Sequence, residues 1–473
     1  MFKHYIGGNL VDGASKRVQV VNPATEEICG EFNAADAALA QKALNAAQAA
    51  FPVWSGMTIS ERGAWIAKLK EALLAEKEDI LNLLMAETGK PLGGADYDFG
   101  MLIQCLEFYP EEAKRVHGQI IEDYDNHFRN LIIRQPLGVV VGYLAWNFPL
   151  LNVGYKLGPS LASGCCCVLK PSTKTPLATM KVGEVAAKIG FPAGVINIIA
   201  GTHGEISTVL STSRITKMVT LIGSSRAGRE IVAESSNSIK RYSLELGGNA
   251  PAVVMPDADI ERAAYYLCDL KYGNAGQVCV NVNRVFVHES VHDEFMKYVK
   301  QYTEAVRLGW GREEGAQMGP MITKPDVGKM DGFVKDASSK GAKVVCGGRP
   351  ADKAKGYFYM PTVLDGVTSD MRVYKEEIFG PIMPILTFSD KDDIAALAND
   401  TEYGLASYVF TKDYKTAFEL GEKLEFGSVC VNEPFFAINL PHGGVKESGV
   451  GKDCSAYSLE EYYSIKRISL KMK

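Results

Sequence analysis

The sequence predicts an α/β protein built of two units, each with a sheet whose strands alternate with helices. Three observations carry that prediction. Between Arg134 and Leu246, apolar stretches with no polar face (GVVVGYLAW, CCCVLKP, GVINIIAG, KMVTLIG) are separated by helical segments, the pattern of a parallel sheet covered on both sides. After Leu246 the alternation resumes, with strand candidates PAVVMP, RVFVH, AKVVCGG and MPILTFS between helices such as VHDEFMKYVKQYTEAVR and KDDIAALAND. Finally, 473 residues at 47% hydrophobic exceed what one cooperative core needs, so two or three domains are expected.

Taken in order, the first 30 residues alternate short apolar runs with turns (YIGGNLVDG, VVNPATEEICG) and predict a small sheet laid against the main body. From Ala34 to Thr88 the Ala and Leu spacing is helical, with a break predicted around Val53 to Ser60. The alternating region then places helices through Lys156 to Ala162, from Pro176 to Ile189 and from Arg226, a layout of nucleotide-binding type. Two such units facing each other put polar residues in the cleft between them. The segment Gln119 to Ile133 and the tail YYSIKRISLKMK read as extended, either as a hairpin that adds strands to another subunit or as edge strands within one chain.

Composition excludes several classes. Lys and Arg total 51 against 56 Asp and Glu, a net charge of −5 that favours neither a nucleic-acid nor a membrane-surface partner. No secretory h-region opens the chain and no uncharged apolar run reaches membrane-spanning length, so a cytoplasmic location is the default. Of ten cysteines, three are consecutive (Cys165, Cys166, Cys167) and the rest scattered, which fits reduced thiols better than disulfides. No CxxC pair or clustered His ligands appear; His203, His288 and His292 read as ordinary residues, and no metal is expected.

Three segments carry reactive or polar residues in Gly-rich or Pro-bounded turns: Trp146-Asn147-Phe148-Pro149, Leu244-Glu245-Leu246-Gly247-Gly248, and Gly273-Asn274-Ala275-Gly276-Gln277-Val278-Cys279. Singly they are weak signals. Most cysteines are inert small hydrophobes, a lone Glu on a loop is usually solvated, and Asn147 alone reads as a cap or turn residue. The glycines before Cys279 favour another reading, because backbone N–H groups aimed at the sulfur would lower its pKa.

Together, NPATEE, WNFP, KPS, IGSSRAG, LELGGNAP, GNAGQVC, EEIFGP and PHGGVKESG form an ordered series that resembles the aldehyde dehydrogenase superfamily over essentially the whole chain. The resemblance is strongest in look to lactaldehyde and glycolaldehyde dehydrogenases and their semialdehyde-oxidising cousins. It implies a Rossmann-type cofactor domain (1–117 and 137–247), an α/β catalytic domain (248–447) and a small β oligomerisation element (118–136 and 455–473), assembled as a homodimer or homotetramer.

The same resemblance implies Cys279 as nucleophile, Glu245 as general base and Asn147 as oxyanion donor. A thiolate adds to the aldehyde, the alkoxide is held by Asn147 and the Cys279 N–H, and the resulting thioester is hydrolysed by water that Glu245 activates. Burial is expected to raise the Glu245 pKa toward neutrality. Superfamily members that transfer the acyl group to coenzyme A lack this glutamate, so the free acid is the expected product.

Cofactor residues implied are Trp146, Lys170, Ser172, Thr173, Gly223, Ser224, Leu246, Glu377 and Phe379. Gly223 and Ser224 open a helix whose N-terminus suits a pyrophosphate, and Glu377 with Phe379 hold the nicotinamide ribose and ring. Strictly NAD-using relatives often carry Glu where this chain has Thr173. With Lys170 and Lys174 nearby, NADP is expected to be accepted as well as NAD.

Tyr155, Phe436 and His442 are implied at the substrate mouth and suggest a small polar aldehyde such as lactaldehyde or glycolaldehyde. An anionic semialdehyde such as succinate semialdehyde is the alternative, although the two positions where such enzymes carry arginines are Tyr155 and Gly273 here. An aminoaldehyde is another, with Tyr155, Phe435 and Glu433 as cage residues. A binding protein without its nucleophile, a coenzyme-A-dependent enzyme and a thiol hydrolase fit less well, given Cys279, Glu245 and the scarcity of candidate His bases.

Overall fold

A computed structural model describes residues 1–472; Lys473, the end of the predicted tail strand, and the side chain of His203 lie outside that description. Two large sheets organise the chain. The first has eight strands in the order 9–11, 4–6, 196–198, 166–170, 139–143, 216–222, 241–245 and 449–450. Its five central strands, 196–198 through 241–245, are parallel, and strands 139–143, 196–198 and nearly all of 166–170 and 216–222 are buried, as their unbroken apolar runs require.

The chain order within that sheet locates a crevice. From Val139–Tyr143 it steps to Cys166–Lys170 and Ile196–Ile198 on one side, then crosses back to Thr216–Ile222 and Arg241–Glu245 on the other. The connections after strands 139–143 and 216–222 therefore diverge, leaving a ligand-sized opening at their carboxyl ends.

The second sheet has seven strands in the order 343–346, 362–365, 382–388, 282–288, 250–254, 406–410 and 428–431, parallel except for the first pair. Each sheet anchors its own large apolar core.

The structure alters one local expectation, at the N-terminal strands, and places the expected helix break at Met57 and Thr58. The N-terminal strands His4–Ile6 and Asn9–Val11 extend the main sheet, and only Arg17–Val21 with Ile28–Asn33 forms a separate two-stranded sheet. The first long helix, Ala37–Gly56, runs through Pro52 and stops only at Met57; Thr58 then caps the next helix, Ile59–Ala75, in a reciprocal box with Glu61. The edge segments are Gln119–Glu122, Phe128–Pro136 and Tyr463–Lys471, a three-stranded antiparallel sheet in which the tail pairs with 128–136 of the same chain.

Buried carboxylates seat two helices of the first unit. Asp98 accepts from the N–H groups of Leu150 (3.1 Å) and Leu151 (2.7 Å) at the start of helix Pro149–Ser163 and is paired with Lys90 at 2.8 Å. Glu87 accepts from Leu177 and Ala178 at the start of Leu177–Lys188. The first of these fixes the helix that carries Tyr155 and follows directly on Asn147.

Candidate active site

Glu245 is the last residue of the last parallel strand of the first sheet, paired in register with Ile222. Cys279 lies just before strand Val282–His288 of the second sheet, after the turn Gly273–Gly276. The two units thus each bring one reactive side chain to their junction, and Asn147 enters from the loop after Val139–Tyr143.

The turn before Cys279 is held in an uncommon backbone state. Asn274 and Ala275 have φ of 49° and 54°, left-handed values that cost L-residues energy unless the surroundings impose them. Gln277 supplies that restraint: its amide donates to Asn274 O and Pro320 O, and its Oε1 accepts from Ile322 N. At Gly276, φ is +74° and an added Cβ would stand 2.1 Å from Gly380 O. At Gly248 it would meet Cys279 O at 2.3 Å, so these two glycines are the ones steric fit demands here.

Two cavities meet at Cys279 and Asn147. One, about 420 Å³, occupies the divergence point of the first sheet and is lined by Trp146, Lys170, Ser172, Gly223, Ser224, Leu246, Glu377 and Phe379. Of the nine cofactor residues expected, only Thr173 is outside its wall. The chain turns away after Ser172, whose Oγ accepts from Lys174 N at 3.3 Å, while the Lys174 ammonium lies 5.0 Å from the Trp146 ring centre. Asp326 and Lys329 also line this cavity; they sit on an amphipathic helix, Lys324–Ser339, and nothing in their spacing marks them out.

The lining suits a nicotinamide dinucleotide. Ser224 caps the helix Ser225–Glu234, which turns its positive end toward the cavity. Lys170 ends strand Cys166–Lys170, and burial lowers its pKa to about 8. Glu377 accepts from Gly248 N at 2.9 Å, and its pKa is pushed up to about 7, chiefly by burial. Phe379, at φ 52°, turns its ring edge-on to Trp146 with centres 5.4 Å apart.

The second cavity, about 410 Å³, is lined by Glu245, Tyr155, Phe436 and His442 as expected, and by Gly273. It also contains Lys90, Asn152, Asp269 and Gln317, which sequence reasoning missed because each belongs to a segment with no distinctive motif. Glu433 and Phe435 do not line it; with Tyr155 they line a neighbouring cavity, where the Glu433 carboxylate accepts from Tyr266 OH (2.8 Å) and Arg262 (3.4 Å).

The electrostatics depart from expectation in two places. Burial raises the Glu245 pKa, but the charge and hydrogen bond of His442, with help from Cys279 and Lys156, outweigh it and hold the carboxyl below its ordinary range. His442 Nε2 is 3.2 Å from Glu245 Oε1. Burial works against charge on His442 too, yet Glu245 and Asp453 lift its pKa. The Cys279 thiol is raised well above its usual value, by burial and then by Glu245, despite the Val280 N–H that acts in the expected direction. Glu245 thus stands between His442, which favours its ionised form, and the Cys279 thiol, to which it is the neighbouring base.

His442 is fixed from behind. Its backbone exchanges two hydrogen bonds with Asp453 (2.8 and 2.6 Å), and the Asp453 carboxylate is buried against Lys156 at 2.6 Å. Its ring lies 6.1 Å from Tyr155 and 6.0 Å from Phe436. Asn147 donates through Nδ2 to Gln277 O at 3.1 Å, which leaves its second amide N–H for an oxygen in the cavity.

Comparison with known proteins accords with this architecture. Residues 10–468 match the model of the aldehyde dehydrogenase family. A glutarate-semialdehyde dehydrogenase of Pseudomonas aeruginosa is 38% identical over 98% of this chain and 97% of its own length. An NADP(+)-linked succinate-semialdehyde dehydrogenase of Escherichia coli is 36% identical over 98% and 96%. The crystal structure of a succinate-semialdehyde dehydrogenase from Burkholderia pseudomallei superimposes with a TM-score of 0.97 at 36% identity, covering 100% of this chain and 98% of that one. A Rossmann-like cofactor region, a catalytic α/β region and a small β sheet, joined at one cysteine and one glutamate, make this chain a member of the aldehyde dehydrogenase family, an NAD(P)-dependent enzyme that oxidises an aldehyde.

Proposed function

We propose that the chain oxidises a semialdehyde to its free acid through a thioester on Cys279, with Glu245 activating the hydrolytic water. The observation that carries the mechanism is the convergence of Cys279 and Asn147 on the wall common to both cavities, with Glu245 beside them in the second. Cys279 adds to the carbonyl as its proton leaves toward Glu245. Asn147 Nδ2 and the Cys279 N–H then hold the alkoxide, where preorganised donors act most strongly. Lys170, Ser172, the 225–234 helix terminus, Glu377 and Phe379 would hold a nicotinamide dinucleotide across the first cavity, and its ring would accept the hydride. Glu245 passes the thiol proton to solvent and then draws another from water as the water attacks the acyl carbon, and the Cys279 sulfur leaves as the free acid forms.

The relatives favour a semialdehyde over lactaldehyde or glycolaldehyde, the substrates the motif pattern first suggested. No arginine lines the cavity among the described residues. The donors there are Lys90, Asn152, Tyr155 and Gln317, and Gln317 Oε1 is already taken by Arg307 N. Succinate or glutarate semialdehyde is expected to exceed lactaldehyde and glycolaldehyde in kcat/KM by about tenfold or more, the value of one charge-assisted hydrogen bond. A higher value for lactaldehyde or glycolaldehyde would overturn this reading. Asp269 supports an aminoaldehyde as a second reading, because its carboxyl stands in the wall with no ion pair among the described residues. Including 4-aminobutanal in the same panel decides between them.

For the cofactor, Lys170 and Ser172 support acceptance of NADP. Lys170 is protonated below about pH 8 and attracts the 2′-phosphate only in that form. The kcat/KM for NADP should therefore fall as pH rises through that value, by about an order of magnitude in all. The kcat/KM for NAD should change less over the same range, and parallel profiles would remove Lys170 from this role.

The three-stranded sheet supports a homo-oligomer. Its strands leave Ile120, Ile468 and Leu470 exposed on one face and Ile121 and Ile465 on the other, apolar surface of the kind that marks a contact. Light scattering on the purified protein should return two or four times the chain mass, and Ile465→Glu should lower it.

A further inference from the structure

The geometry points to a second use of this centre: we infer that Cys279, Glu245 and His442 form a binding site for a zinc-class divalent cation, which blocks the enzyme reversibly. The inference rests on Cys279 being the nucleophile, as set out above, and concerns regulation of the same site. The ligand atoms of the three residues all lie within 4.8 Å of one another. Zinc bonds of about 2.3 Å to sulfur and about 2.0–2.1 Å to nitrogen need only a small closing movement from that spacing.

The donor set is selective. One thiolate, one imidazole and one carboxylate suit zinc and its soft or borderline neighbours, whereas magnesium and calcium require shells of oxygen. Charge also balances, since a thiolate and a carboxylate together neutralise a dication. The nearby ammonium of Lys156 is already paired with Asp453 at 2.6 Å. Three protein ligands leave the fourth tetrahedral position open toward the second cavity, where a water completes the shell.

His442 makes the site. Cysteine and glutamate alone would offer two ligands, and the imidazole is brought to them by the backbone bridge between His442 and Asp453. On binding, Zn–S, Zn–N and Zn–O bonds form, and the thiol proton and the proton held between His442 Nε2 and Glu245 pass to solvent. No oxidant is involved, and removing the metal restores the thiol. While bound, the sulfur lone pair that would attack an aldehyde is engaged and Glu245 is held away from water, so the cation inhibits.

The test uses the full-length protein stripped of metal by a chelator. Zinc should abolish dehydrogenase activity and EDTA should restore it, while magnesium and calcium at equal concentration leave it unchanged. Cobalt(II) as a spectroscopic substitute should give a thiolate-to-metal charge-transfer band that zinc displaces. His442→Phe and His442→Gln should each weaken metal binding by more than about tenfold, beyond the loss of even an outer-shell partner, and Cys279→Ser should remove the band. Cofactor binding reports whether each variant is folded. Unchanged zinc affinity in both His442 variants, or a band that survives Cys279→Ser, would overturn the inference. The nucleophile assignment fails separately, if metal-free Cys279→Ser protein turns over aldehyde at the wild-type rate.

Discussion

Cys279→Ser protein should lose aldehyde oxidation by about four orders of magnitude or more in kcat, the scale on which removal of a covalent nucleophile acts. The site explains why serine cannot substitute. Burial and the neighbouring Glu245 already raise the thiol well above its usual pKa, and an alcohol in the same surroundings is far harder to ionise. What remains of the apparatus, Asn147 and the backbone N–H, stabilises an alkoxide that no longer forms. Cofactor binding should survive, because Cys279 contributes one wall of a cavity otherwise built from Trp146, Lys170, Glu377 and Phe379. Quenching of Trp146 fluorescence by added NADP should therefore titrate as in the wild type. Alkylation mapped by mass spectrometry supplies a second readout, with label expected on Cys279 and not on the buried Cys165–Cys167 run. Retention of more than a few per cent of activity by the variant would remove Cys279 from the mechanism.

How much of this was legible in the sequence depends on the reach of the interaction concerned. The parallel strands were, because burial on both faces writes itself as unbroken apolar runs such as VVVGY and CCVLK. The meeting of Asn147, Glu245 and Cys279 was implied by the family resemblance that their motifs carry, and the two cavities contain all three. The acid–base state of the centre was not legible. Reading Cys279 from its glycines led to the expectation of a lowered pKa, whereas burial and the Glu245 carboxylate raise it, and reading Glu245 from burial alone missed an imidazole 197 residues further along the chain. The position of His442 is set by its backbone pairing with Asp453, a contact without a local signature. Lys90, Asp269 and Gln317 escaped for a related reason, since each looks like an ordinary residue until the walls of the second cavity close around it.

Glu245→Gln separates the two halves of the reaction. The amide keeps the volume of the side chain and retains an oxygen able to accept from His442 Nε2, now 3.2 Å from Glu245 Oε1, so the surrounding geometry should hold. What is lost is the base. Thioester formation leaves the variant with one acyl group on Cys279, and without Glu245 water must attack unassisted. Steady-state kcat should fall by about 10²–10⁴-fold, the usual worth of a general base. A first turnover should remain faster than deacylation even with the proposed acceptor of the thiol proton gone, seen as a burst of reduced nicotinamide stoichiometric with active sites. Mass spectrometry of the quenched protein should find the acyl adduct on Cys279, and hydroxylamine, a nucleophile that needs no general base, should restore multiple turnovers. The rate of the burst carries further information. If it too slows, Glu245 also takes the proton from the raised thiol, which its position beside Sγ allows; if it is unchanged, another acceptor serves. A variant that turns over at the wild-type steady-state rate, with no burst and no adduct, would show that deacylation does not depend on Glu245.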